Sequence, residues 1–172
     1  MESVRKIAAL ILLLALFSSA HALQIGGAVS YTMLLGEFGR DLSGATTLSL
    51  LCGTELSGTE NVSIMVGYRR HRGRENEILA LTVSSASLRL MVFPLEKRPY
   101  FLSYAISFNH YDRSMDGQAE RGSHPVVGFG FGVSVVRTSH LHVAFGAAVS
   151  RILERYHSAN SLAFDAELVY HL

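Results

Sequence analysis

The sequence predicts an all-β protein: a closed, eight-stranded, antiparallel up-and-down transmembrane β-barrel, preceded by a cleavable signal peptide. Three observations predict it. The N-terminus has the pattern of an export signal. Period-two alternation of apolar residues then recurs along the chain, while helical periodicity is hard to find. The two faces so defined are unequal: one is Val, Ile, Leu, Phe and Tyr nearly throughout, the other Gly, Ala and Ser interrupted by ionisable groups.

The export signal occupies residues 1–22. "MESVRK" supplies Arg5 and Lys6, "IAALILLLALF" an apolar core, and "SSAHA" places Ala20 and Ala22 in the small-x-small pattern of a cleavage site. The apolar run is shorter than the ~20 residues that a spanning helix needs. No Cys stands at the cleavage point, which argues against a lipoprotein anchor. The mature barrel domain is then 23–172, enough for one domain with one core. Removing Glu2, Arg5 and Lys6 brings the formal charge from +1 to zero. Such a balance leaves no basic footprint for nucleic acid. Cys52 is the only cysteine, so no intrachain disulfide can form. Closure and packing must hold the chain together instead.

The strands follow in order. "QIGGAVSYTML" puts Ile25, Gly27, Val29, Tyr31 and Met33 on one face. "TTLSLLCGTEL" does so with Leu48, Leu50, Cys52, Thr54 and Leu56, and "NVSIMVGYR" with Val62, Ile64, Val66 and Tyr68. In the fourth, "EILALTVSSASLRLMVF", the apolar parity runs through Leu79, Leu81 and Val83 and then shifts to Ala86, Leu88, Leu90 and Val92. A β-bulge near Ser84 and Ser85 would account for the shift. "YFLSYAISFNH", "VVGFGFGVSVV", "LHVAFGAAVS" and the terminal "FDAELVYHL" supply strands five to eight. Between them lie "LGEFGRDLSGA", "SGTE", "RHRGREN", "PLEKRP", "DRSMDGQAERGSHP", "RTSH" and "ERYHSAN", several with the Gly, Pro, Asn and Ser of turns. With the N-terminus in the periplasm, the first and every second connection point out of the cell, giving long outer loops and short periplasmic turns.

The faces decide whether the barrel is soluble or membrane-embedded. Eight strands leave an interior just wide enough for side chains to fill. Small residues with a few opposite charges suit that space, and a row of Phe and Leu suits lipid. A soluble barrel would instead need a strongly charged exterior, which neither face supplies. The alternative is a soluble exported lipocalin-like barrel that binds a small apolar ligand.

In this pattern the mature chain resembles the small OmpA/OmpX-type outer-membrane β-barrels. The resemblance implies residence in the outer membrane of a Gram-negative bacterium, as a monomer without cofactor or enzymatic activity. It further implies contact with outer-membrane lipid and lipopolysaccharide, and recognition by the barrel-assembly machinery through the C-terminal strand. Tyr170 matches the aromatic two places before the end, whereas Leu172 stands where the family usually has Phe. The work expected of such a barrel is structural, or surface interaction through its outer loops.

Four constellations are candidates for chemistry. Glu55, Arg69, Arg89, His142, Asp165, Glu167 and His171 fall on the lumen face, where buried charges must pair; a plugging ion-pair network is expected. Arg69 should lie toward the outer end, Glu55, Arg89, His142 and His171 toward the periplasmic end, and Asp165 and Glu167 between. His140 and His142, two apart on one face, form a weak metal motif near His171; no metal site is predicted. "RYHSANS" faintly resembles the His/Ser/Asn stretch of outer-membrane lipid A deacylases. His157 and Ser158, with Glu167 as carboxylate, would be the catalytic candidates of a lipid A-modifying hydrolase. Adjacent His and Ser point to opposite faces of a strand, which is the wrong spacing for that chemistry. Last, Arg70, Arg72 and Arg74 form a basic cluster at the second outer loop, suited to anionic groups such as lipopolysaccharide phosphates.

Overall fold

The structure, a computed structural model, describes residues 23–74, 79–95, 98–115, 118–153 and 159–172. The predicted signal peptide lies outside them. Eight antiparallel strands follow one another: β1 (Leu23–Leu35), β2 (Ala45–Ser57), β3 (Glu60–Arg72), β4 (Ala80–Val92), β5 (Tyr100–Met115), β6 (Gln118–Arg137), β7 (Leu141–Ile152) and β8 (Asn160–His171). Each pairs with its sequence neighbour, and β8 returns to β1, so the sheet closes into a barrel. A short helix, α1 (Glu37–Asp41), stands in the first connection.

Closure explains the order at the C-terminus. β8 runs against β1 from Leu35↔Asn160 to Gln24↔His171, and Leu172 N–H donates to the Leu23 carbonyl at 2.8 Å. Backbone groups that would otherwise form two open edges are thereby paired. Leu23 and Leu172 lie at one rim, the terminal end, with the β2–β3, β4–β5 and β6–β7 turns. The other four connections lie at the opposite rim, the loop end.

The alternation sorts the side chains as the sequence predicts. Ile25, Val29, Tyr31, Leu48, Val66, Tyr104, Ile106, Phe129 and Phe164 are exposed on the exterior, with Leu50 71% and Phe131 62% exposed. The intervening Ala28, Thr47, Ser63, Asn109, Ala144 and Glu167 are buried inside. The sixth strand shows why the interior is built of small residues. A Cβ on Gly132 would collide with the Phe101 ring and the Phe145 carbonyl, and one on Gly130 would stand 2.6 Å from Ser103 Oγ and 2.9 Å from the Ala147 carbonyl.

Two expectations are corrected. β4 carries no bulge at Ser84 and Ser85: its pairing is unbroken from Arg72↔Ala80 to Glu60↔Val92 on one side and from Ala80↔Ser114 to Val92↔Leu102 on the other. The parity shift has another cause. Leu79 is buried at the loop end and Leu81 packs beside it, joining Leu34 and Leu42 in an apolar cluster inside the barrel mouth. The inward face of β4 is therefore apolar at that end, and its pairing continues without a break. The register breaks actually lie at Glu55/Ser57 and Ser134/Val136, near the terminal rim.

The second correction concerns "DRSMDGQAERGSHP", expected to be the longest loop. Most of it is strand: β5 and β6 remain paired from Phe108↔Pro125 out to Met115↔Gln118. Cross-strand partners replace lipid as the reason for order. Arg121 Nε donates to Asp112 Oδ2 at 3.0 Å, His110 Nδ1 lies 2.9 Å from Ser123 Oγ, and the Tyr111 and His124 rings stack at 5.1 Å. Such pairs stabilise a hairpin beyond the membrane, where the apolar pattern stops.

Candidate functional site

The interior is layered along the barrel axis. At the terminal end Met91, Phe93, Phe101 and Ala144 form a buried apolar plug. Phe93 is held on both sides, with the Arg137 guanidinium 4.1 Å from its ring centroid and the His142 ring edge-on at 6.0 Å. Arg137 also donates to the Gly58 carbonyl at 2.5 Å, tying the plug to the β2–β3 turn.

Above the plug, β4 sends Arg89 inward and β8 sends Glu167 and Asp165. Arg89 and Glu167 meet as a fork: Nη1–Oε2 is 2.6 Å and Nη2–Oε1 is 2.9 Å. Two parallel charge-assisted bonds are the strongest form that such a pair takes. Asp165 stands two residues away on the same face, takes a hydrogen bond from Ser30 and feels both Arg89 and Glu167. The pair is therefore one cation facing two carboxylates, inside a wall of Gly, Ala and Ser.

The other predicted lumen residues are distributed around this centre. His142 is buried, with Nε2 lacking a hydrogen-bond partner, and lies within electrostatic reach of Glu167 and His171. His171 lies near Glu55 at the terminal rim, its Nδ1 3.4 Å from Gln24 Nε2. His140 and His142 do not share a face: β7 begins at Leu141, leaving His140 in the preceding turn with its ring stacked over the exterior Tyr170, 6.3 Å away. Among the described residues, no group of three His, Cys, Asp or Glu side chains could hold a metal ion. His157 and Ser158 lie outside the described residues, and the Glu167 carboxylate assigned to them is occupied by Arg89.

Arg69 sits apart from the centre, toward the loop end. It lines a cavity of about 430 Å³ with Leu34, Leu42, Leu79, Asn109 and Arg113 among its neighbours. Its Nε has no hydrogen-bond partner, and no salt bridge among the described residues includes it. A connection turned inward narrows the mouth. Leu42 bridges Gly73, Ser43 N–H donates to the Arg72 carbonyl at 2.8 Å, and Arg74 N–H donates to the Asp41 carbonyl at 2.9 Å. Arg74 thus belongs to this strap, its Nε donating to the Leu42 carbonyl at 3.2 Å. Arg70 and Arg72, by contrast, are exposed on the exterior face of β3, directly beyond Val66 and Tyr68.

Sequence reasoning placed Asn109 on the inner face but did not find the cavity, because Tyr111 and Arg113 point inward only if β5 continues past His110. Extending its parity by five residues would have shown them.

The exterior settles the barrel's surroundings. A belt of exposed Leu, Ile, Val, Phe and Tyr encircles strands that leave no open edge, which is the only way a sheet crosses a bilayer. On β5 the belt runs from Tyr100 to Phe108, matching the ~9–11 residues that a tilted strand needs. No model of a known family matches the sequence, and no curated protein does. Solved structures do. Neisserial surface protein A superimposes with a TM-score of 0.66 at 14% identity, over 86% of this chain and 96% of that one. The fold is that of the small outer-membrane barrels. The N-terminal barrel domain of Pseudomonas aeruginosa OprF matches at 0.59 with 9% identity, over 87% and 97% of the two chains. Ail, the attachment invasion locus protein of Yersinia pestis, matches at 0.53 with 13% identity, over 88% and 97%. In fold and in exterior chemistry the chain matches the eight-stranded outer-membrane barrels.

Proposed function

We propose that the protein is a non-enzymatic outer-membrane barrel whose loop-end rim engages lipopolysaccharide, with a lumen closed to permeation. The observation that carries this reading is the placement of Arg70 and Arg72. They continue the lipid-facing row of β3, each step of two residues rising by about 6.6 Å along the strand. Two guanidinium groups thus stand just past the Tyr68 ring, at the level where a lipid's phosphates would meet them. Arginine binds phosphate through paired N–H donors and stays charged at all relevant pH. A structure of Ail holds the heparin analogue sucrose octasulfate, so a polyanion is a ligand for one barrel of this fold.

The closed lumen supports a structural or surface role over transport. The aromatic plug, the Arg89–Glu167 fork and the glycine-lined waist fill the lumen at successive levels, in keeping with an eight-stranded interior just wide enough for side chains. β8, with Tyr170 outward and Leu172 at the seam, is the element that an assembly machinery would read before closure.

The test compares unfolding by urea in vesicles with and without lipopolysaccharide in the outer leaflet. A ligand that binds only the folded barrel raises the unfolding midpoint. The wild type should gain stability with lipopolysaccharide, and Arg70→Gln/Arg72→Gln should lose most of that gain while keeping its stability in plain phosphatidylcholine. An undiminished gain in the double variant would refute the rim assignment.

A further inference from the structure

We infer that the loop-end cavity is a binding site for a small amphipathic monoanion, a short alkyl carboxylate, with Arg69 as its anchor. Three observations converge. The cavity is large enough for a small organic molecule at about 430 Å³. Its walls include Leu34, Leu42, Leu79, Leu81, Val83 and Ile152, with Leu34, Leu42, Leu79 and Val83 buried. And the one inward cation of β3 at this level, Arg69, has a solvent-sealed Nε without a hydrogen-bond partner and no ion pair among the described residues.

A guanidinium carries five N–H donors in a planar fork, and leaving them unsatisfied inside a protein is costly. Elsewhere in this barrel the charge is met by a partner: Arg89, whose Nε is likewise without one, places both Nη atoms on Glu167, Arg121 has Asp112, and Arg137 has the Gly58 carbonyl and the Phe93 ring. Arg69 has none of these. The carboxylates of the cavity lining, Asp41 and Glu120, belong to exposed residues and form no salt bridge with it. A ligand carboxylate would supply the missing acceptor in the geometry that arginine favours.

The rest of the ligand follows from the walls. An alkyl chain is the partner for a leucine cluster, and burying it draws on the same apolar burial that holds the cluster together. Asn109, buried in the lining, adds an amide beside the head group. Asp41 and Glu120 offset the second cation of the lining, Arg113, so the charge left at Arg69 matches a monoanion rather than a phosphorylated species. The His124–Tyr111 pair closes one side, with Nε2 and the phenolic oxygen 3.1 Å apart. The site is separate from the exterior arginines and does not depend on their role.

The experiment uses the full mature barrel in nanodiscs, with hexanoate as the probe because it partitions weakly into lipid. Saturation-transfer NMR should show hexanoate contacting the wild type, absent from empty discs. Hexylammonium and inorganic phosphate should not compete with it. Arg69→Gln should weaken binding at least tenfold, and Arg69→Lys should restore part of it. Leu42→Glu, placed on the strap rather than in a strand, should also weaken binding at least tenfold by repelling the head group. If Arg69→Gln does not assemble, judged by loss of its boiled-versus-unboiled gel shift, Leu42→Glu and the competitor series decide. No binding to the folded wild type, equal binding of hexylammonium, or full displacement by phosphate would overturn the assignment.

Discussion

Replacing Arg89 by Met should destabilise the barrel more than replacing its partner Glu167 by Gln, and the difference can be worked from the geometry. Glu167 is 6% exposed and accepts two hydrogen bonds from one guanidinium, at 2.6 and 2.9 Å. Removing one partner of such a buried pair costs about 3–5 kcal/mol, because the other charge is left uncompensated. The two halves are not equivalent here. Glu167→Gln leaves Arg89 with Asp165 still within electrostatic reach, and the new amide oxygen can accept one of the two bonds. Its loss should fall at about 3 kcal/mol or below. Arg89→Met leaves Glu167 and Asp165 facing each other with no cation between them. Its loss should reach about 5 kcal/mol. Arg89→Met/Glu167→Leu removes one of those two carboxylates and should recover roughly 2 kcal/mol or more, since well-packed apolar replacements of a buried pair are often neutral. Urea titration in phosphatidylcholine vesicles, followed by the gel shift of unboiled samples, gives all three values and the coupling between the sites. Equal losses for the two single variants, or a double variant that loses their sum, would refute the picture of one cation serving two carboxylates.

Other perturbations test the assignment of faces and the packing of the waist. Phe131→Arg, placed in mid-belt on the exterior, should cost about 2–4 kcal/mol in the same titration and lower the yield of membrane-inserted protein. Gly128→Ala and Gly132→Ala face the lumen from one strand but should part company. The nearest atom to a Cβ on Gly128 is Ser150 Cβ at 3.5 Å, so alanine fits and should be neutral or stabilising by up to about 1 kcal/mol. At Gly132 the Phe101 ring and the Phe145 backbone block it, and the loss should be about 1–3 kcal/mol.

The amino-acid order carried the topology well because a barrel wall is read two residues at a time. "VVGFGFGVSVV" states both the exterior and the narrow lumen without any tertiary information. The ends of the barrel were harder for the same reason. At Leu79 and Leu81 apolar side chains turn inward to form a mouth, and alternation alone cannot distinguish that from a bulge. Beyond Asn109 the strands are held by pairs such as Asp112–Arg121, whose residue types also occur in turns. The partners within the lumen depend on how far each strand slides against its neighbour. Arg89 and Glu167 could be placed on one face from parity, but their meeting is fixed by four strands of accumulated register. Arg69 shares that face, and the same register gives it no ion pair among the described residues.

The seam between β1 and β8 has a consequence for how the chain reaches its final form. Every other ladder joins neighbours along the chain and can zip from its turn, whereas Leu23 must find Leu172 across the entire domain. The entropy of that search is paid before the seam's hydrogen bonds return anything. Until it closes, β1 and β8 are each a free edge able to template pairing with another molecule. The hazardous interval in the life of this barrel is thus a matter of timing rather than of final stability. It is set by how soon β8 arrives beside β1.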